Sequence, residues 1–142
     1  MNKALIAAAL FAVTTSAFAG PATDDAKAHF SAIATGDTAA LARQYDANAQ
    51  LQWIGGPLDG LYSGADKINE LWGKFTKSQG ALKLTVESVE EAANPKGATV
   101  TANVQFEGKA PIKVRYVLTF RDGNLVNEVW QIAPGLKVAA GY

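Results

Sequence analysis

The apolar residues of this chain change period once, near Ala81. Before that point they recur as amphipathic helices do; after it they alternate as half-buried strands do. In the helical part, Ala26, His29, Phe30 and Ile33 are spaced i, i+3, i+4, i+7, and so are Ile68, Leu71, Trp72 and Phe75. The first stripe predicts a helix capped by Thr23, with Asp24 and Asp25 in the turn where the helix dipole favours negative charge. Gly36 closes it, and Asp37 caps a second helix that carries Leu41 and Tyr45 on one face. A short strand, Ala49 to Ile54, ends at the Gly55-Gly56-Pro57 break, and Ser63 caps the third helix.

In the alternating part, Leu82, Leu84 and Val86 face one way, and the pattern slips at Ser88-Val89 as a bulge would make it slip. Asn94-Pro95-Lys96-Gly97 is a turn. Val100, Ala102, Val104 and Phe106 share a face, as do Ile112, Val114, Tyr116, Leu118 and Phe120. Asp122-Gly123 is a hairpin signal, and Leu125 to Ile132 is the last strand. Helices first and a long meander afterwards imply an α+β domain: three N-terminal helices packed in a strongly curved, mainly antiparallel sheet.

That domain is expected to occupy residues 20–142. Residues 1–19 have the layout of a secretory signal peptide: Lys3, the apolar run Ala4 to Val13, and small residues at Ala17 and Ala19 around Phe18. Cleavage after Ala19 shortens the 142-residue chain to 123 and, by removing Lys3, takes the formal charge from zero to −1. The expected location is periplasmic or secreted, with no membrane anchor, since the apolar run is too short to span a bilayer and no cysteine follows it for lipid attachment. With no cysteine at all, the fold must rest on packing alone.

Composition excludes several functions. Thirteen basic residues balance thirteen acidic ones with no basic stripe, which argues against nucleic acid as a partner. One histidine and no cysteine cannot build a usual zinc site, and neither a calcium loop, a phosphate-binding loop nor a nucleophile elbow is present. No metal or cofactor is expected. What remains is polar and aromatic material on inward faces: His29 on the first helical stripe, Tyr116 mid-strand, and Glu128 among Val126, Trp130 and Ile132 on the last strand. An inward carboxylate must be paired, hydrated or neutral.

The run His29-Phe30 to Gly36-Asp37, then Leu41, Tyr45, Trp53, Gly60-Leu61-Tyr62-Ser63-Gly64, Ile68, Trp72 and Phe120-Arg121-Asp122-Gly123-Asn124-Leu125 resembles the nuclear-transport-factor-2-like superfamily. Ketosteroid isomerase and the SnoaL-like, polyketide-cyclase-like proteins belong to it. The resemblance implies a cystatin-like cone with an apolar pocket. It places His29 and Tyr116 where ketosteroid isomerase carries its two oxyanion donors, and Trp53 where that enzyme carries its base. A tryptophan cannot take a proton from carbon, so that isomerisation is not expected. The resemblance also puts Trp72 and Trp130 on the cavity wall.

Three readings follow. One is a binding protein in which Trp53, Trp72, Phe106, Trp130 and Tyr45 enclose a small apolar or aromatic ligand. Another is a proton-transfer enzyme of isomerase, lyase or cyclase type, with Glu128 as acid or base and His29 and Tyr116 as oxyanion donors. A third is an interaction module that forms a homodimer through the outer sheet face of Lys113, Arg115, Val117, Thr119, Asn127 and Gln131.

Overall fold

The computed structural model describes residues 20–138. The proposed leader and the last four residues lie outside the described residues. Three helices, α1 (Pro21–Thr35), α2 (Thr38–Gln44) and α3 (Ala65–Gln79), are combined with six strands, β1 (Tyr45–Ile54), β2 (Gly60–Ser63), β3 (Lys83–Asn94), β4 (Gly97–Glu107), β5 (Pro111–Arg121) and β6 (Asn124–Ile132). One curved sheet runs β2-β1-β6-β5-β4-β3. Every neighbouring pair is antiparallel except β1 and β6, which the long excursion through α3 and four strands brings side by side in parallel. The α+β fold expected from the change of period is the one observed.

Both helical stripes face the sheet. Ala26, His29, Phe30 and Ile33 are buried, as are Ile68, Leu71, Trp72 and Phe75. Gly36 ends α1 in the left-handed region, at φ 75°, where a side chain would be strained. The Asp37 carboxylate accepts the Ala40 amide at 3.0 Å, as a helix cap does.

Three boundaries differ from the sequence expectation. α1 begins at Pro21, whose missing N–H costs nothing in a first turn, with Gly20 as its cap. Thr23 is instead one turn position inside, and its amide and hydroxyl both donate to Glu91 Oε1, at 2.6 and 2.9 Å, tying α1 to β3. α3 is capped by Gly64 at φ 94°, while Ser63 ends the short edge strand β2, which the sequence reading missed. β1 starts at Tyr45 rather than Ala49, so Tyr45 belongs to the sheet and not to α2.

Three irregularities set the register, one of them between Tyr45 and Gln50 where β1 pairs with β6. The slip at Ser88 is real: pairing shifts between Glu87 and Glu90, and Ser88 has φ 53°. The third shift lies between Thr119 and Phe120, whose partners are Asn127 and Leu125, leaving Val126 as the extra residue. Leu125 is therefore buried and Val126 only half-buried, which corrects the expectation that Val126 would share Glu128's face. Beyond this bulge the alternation holds, and Glu128 and Trp130 both point inward.

Candidate functional site

Strand pairing arranges the interior in successive rungs. Leu51, Glu128, Leu118 and Val100 lie across from one another on β1, β6, β5 and β4. Two residues further along β6, the next rung is Trp53, Trp130, Tyr116 and Ala102. Ile132, paired with Val114 and thence with Val104, forms the third. Glu128 is thus a carboxylate inserted in an otherwise aliphatic rung, 1% exposed. Its partners must come from the helices and the neighbouring rung.

They do. His29 Nε2 lies 2.7 Å from Glu128 Oε2, and the Tyr45 hydroxyl donates to Oε1 at 2.5 Å. Tyr116 donates to Oε2. The direction of each bond follows from groups with only one possible role. Gln44 Nε2 donates to the Asp25 carbonyl at 3.1 Å, so the amide oxygen is the atom facing His29 Nδ1, 2.7 Å away, and Nδ1 must carry a proton. The Trp72 indole can only donate, and it does so to the Tyr45 oxygen at 2.7 Å, which leaves the Tyr45 proton for Glu128. One proton then lies between His29 Nε2 and Glu128 Oε2. Two phenol donors, Tyr45 and Tyr116, already serve the same carboxyl group. Burial, followed by the adjacent Glu128 charge, pushes both the Tyr45 and the Tyr116 phenols well above their ordinary range.

This knot brings together the three proposed catalytic residues, Glu128, His29 and Tyr116. It also takes in Tyr45, which the sequence reading assigned to the ligand. Gln44, which fixes the histidine tautomer, was missed, because a glutamine at a helix end carries no distinctive sequence signal.

Next to the knot is an aromatic layer. Trp130 is stacked between Trp53, with ring centroids 4.2 Å apart, and Phe106, at 5.2 Å. Trp72 and Phe75 meet its edge at 5.7 and 5.5 Å. Trp72, Phe106 and Trp130 are fully buried. The indole N–H groups of Trp53 and Trp130 have no acceptor, a loss of roughly 1–3 kcal/mol each that the stacking must offset.

On the far side of the layer is a cavity of about 760 Å³. Trp53, Phe75, Leu58, Ile112 and Ile132 form its apolar wall, with Pro57 and Pro134 from loops and Pro111 from the start of β5 around it. Of the aromatic residues expected to enclose a ligand, Trp53 lines this cavity, whereas Trp72, Phe106, Trp130 and Tyr45 are packed behind it. Gly55 and Gly56, at φ 102° and 74°, let the β1–β2 loop fold against Ile132: a Cβ on Gly56 would come within 3.1 Å of that side chain. Glu128 does not reach the cavity. Ile132 lies four positions further along β6, roughly 13 Å at 3.3 Å per residue.

Among the described residues no helix is long and apolar enough to cross a membrane, and no group of three or more His, Cys, Asp or Glu side chains could hold a metal ion.

Comparison with known proteins agrees with this architecture. Three solved structures superpose on most of the chain. An NTF2-like protein of unknown function from Burkholderia xenovorans LB400 is 18% identical, over 84% of this chain and 88% of its own, with a TM-score of 0.62. A Nostoc punctiforme PCC 73102 protein with a cystatin-like fold is 11% identical, over 82% and 91%, at 0.68. A Caulobacter vibrioides protein with a cystatin-like fold is 16% identical, over 81% and 89%, also at 0.68. At such identities the likeness is one of fold. No curated protein matches in sequence. The SnoaL-like domain family matches residues 26–128, from the first buried residue of the α1 stripe to the carboxylate of the knot, and the chain belongs to that family within the NTF2-like superfamily.

Proposed function

We propose that this is an exported small-molecule-binding protein that takes an apolar or aromatic ligand in the cavity between Trp53, Leu58, Phe75, Ile112 and Ile132. The observation that carries this reading is the cavity itself. Its volume lies within the roughly 300–1,000 Å³ of small-molecule sites, and its wall is mainly apolar with a few polar groups. The alternative of proton transfer draws on Glu128, His29 and Tyr116, which have the residue types and distances of an acid–base site. Those groups are enclosed, however, and a substrate would have to displace the Trp72 and Trp130 rings to meet them. Export rests on the leader-like sequence before Gly20; mass spectrometry of protein made with its own N-terminus should find a mature chain starting at Gly20, and retention of residues 1–19 would refute it.

The binding test uses N-phenyl-1-naphthylamine, an uncharged fluorophore. Saturable binding near one equivalent is expected, with quenching of tryptophan emission. Leu58→Trp, which fills the cavity, should weaken binding at least tenfold, while Arg115→Ala on the outer sheet face should leave it unchanged. Absence of saturable binding, or equal losses from the two changes, would overturn the proposal.

A further inference from the structure

We infer that removal of the leader also completes the fold: the ammonium that cleavage puts on Gly20 pairs with the Glu91 carboxylate and fastens the start of α1 to β3. This rests on the export reading above and adds to it what the new terminus does.

The register slip of β3 sets up the contact. Leu84 and Val86 lie opposite Phe106 and Val104 on the inner face, and unbroken alternation would carry Ser88 and Glu90 inward after them. The shift between Glu87 and Glu90 instead sets Glu91 opposite buried Val100, on the face where α1 packs. A half-buried carboxylate there needs partners. The Thr23 amide and hydroxyl serve Oε1, at 2.6 and 2.9 Å, and so do for the first turn what a cap side chain usually does; the cap is Gly20, which has none. Among the described residues nothing donates to Oε2, and no Lys or Arg pairs with Glu91.

Gly20 lies against that oxygen. A Cβ on Gly20 would fall on the carboxyl group, 2.8 Å from Oε1 and closer still to Oε2, so only glycine lets Glu91 come this near. The Gly20 nitrogen is bonded to the same Cα and therefore lies within about 4.5 Å of Oε2. In the uncut chain that nitrogen is a neutral amide. Hydrolysis of the Ala19–Gly20 bond by a leader peptidase takes up one water, leaves a carboxylate on Ala19 and puts a protonated amine on Gly20. The ammonium turns about its bond to Cα and can aim a proton at Oε2, which the amide cannot. A lone cation at the start of a helix opposes the dipole, and Glu91 offsets it. No other cation is at hand: Asp25 on α1 and Asp122 in the β5–β6 turn line the same concavity as Glu91, and no Lys or Arg among the described residues does. Partial burial, then the neighbouring Asp24 charge, holds the Asp25 carboxyl above its ordinary range, as befits a place where negative charge is not balanced.

The test compares a chain beginning at Gly20 with one beginning at Ala19, both of which contain every helix and strand of the described residues. Each is made with Glu91 and with Glu91→Gln, which keeps an acceptor for Thr23 but not the charge. Followed by the nuclear magnetic resonance of its Cα, the Gly20 amine should titrate above the ordinary α-amine range of about 7.7–8.0, and within that range in Glu91→Gln. Near neutral pH the unfolding constant of the Gly20 chain should be about threefold to tenfold below that of the Ala19 chain. That gap should close in Glu91→Gln, and also as pH rises through the raised value and the amine loses its charge. An ordinary titration, or equal unfolding constants, would overturn the inference while leaving the export reading intact. Retention of residues 1–19 by protein made with its own N-terminus would overturn both, because the ammonium would never form.

Discussion

Along β6, the surroundings of Glu128 and those of Ile132 lie four residues apart and solve opposite problems. Around Glu128 every donor and acceptor is committed: His29, Tyr45 and Tyr116 converge on one carboxylate, Gln44 fixes the histidine, and Trp72 fixes Tyr45. Around Ile132 side chains stop short of one another and leave about 760 Å³. The Trp53–Trp130–Phe106 stack separates the two. A buried polar group close to a cavity is therefore a poor guide to chemistry by itself. What decides is whether its hydrogen-bonding capacity is already used, and here it is used by the protein.

The contrast predicts large effects at Glu128 and small ones at the cavity wall. Glu128→Ala leaves the His29 ring and two phenols buried without their partner and should cost about 3–5 kcal/mol in denaturant unfolding. A loss under 1 kcal/mol would mean that the knot is loosely held and open to other partners. Alkaline pH attacks the same region. Because the folded-state values of Tyr45 and Tyr116 are raised, their contribution is intact below about pH 10, the ordinary phenol value. It is lost as pH climbs toward the folded values, since only the unfolded chain can then release those protons. Stability should fall as pH rises above about 10, and less steeply in Tyr116→Phe, which keeps only one of the two phenols. An unchanged slope in that variant would remove Tyr116 from the account.

Tyr45→Phe deprives Glu128 of a donor and the Trp72 indole of its acceptor, with an expected cost of about 1–3 kcal/mol. At the other end of the comparison, Leu58→Trp should change stability by no more than about 0.5 kcal/mol while blocking the fluorophore, because Leu58 is only half-buried and faces open volume. A loss as large as at Tyr45 would show that the cavity wall is part of the core.

Much of this was legible in the sequence, and the reason is periodicity. The i, i+3, i+4, i+7 stripe put His29 inward, and alternation put Tyr116 and Glu128 inward, so the knot could be assembled from faces alone. Alternation tells which side a residue occupies but not which rung. Trp72, Phe106 and Trp130 were inward as expected, yet they lie behind the cavity wall, where only Trp53 of that aromatic set reaches. Leu58, Pro57 and Pro134 come from loops, which have no period to read. Val126 was misplaced because the bulge opposite Thr119 and Phe120 has no marker comparable to the break at Ser88. Tyr45 was read as helical because it follows Leu41 at i+4, whereas the chain turns extended there, at φ −82° and ψ 134°, and carries its hydroxyl to Glu128.

The most direct test of the separation between knot and cavity is to record intermolecular nuclear Overhauser effects from bound N-phenyl-1-naphthylamine to the protein. The account predicts contacts to the methyl groups of Leu58, Ile112 and Ile132 and none to the rings of His29 or Tyr116. Contacts to His29 or Tyr116 without contacts to the isoleucine methyls would place the ligand at Glu128 and contradict it.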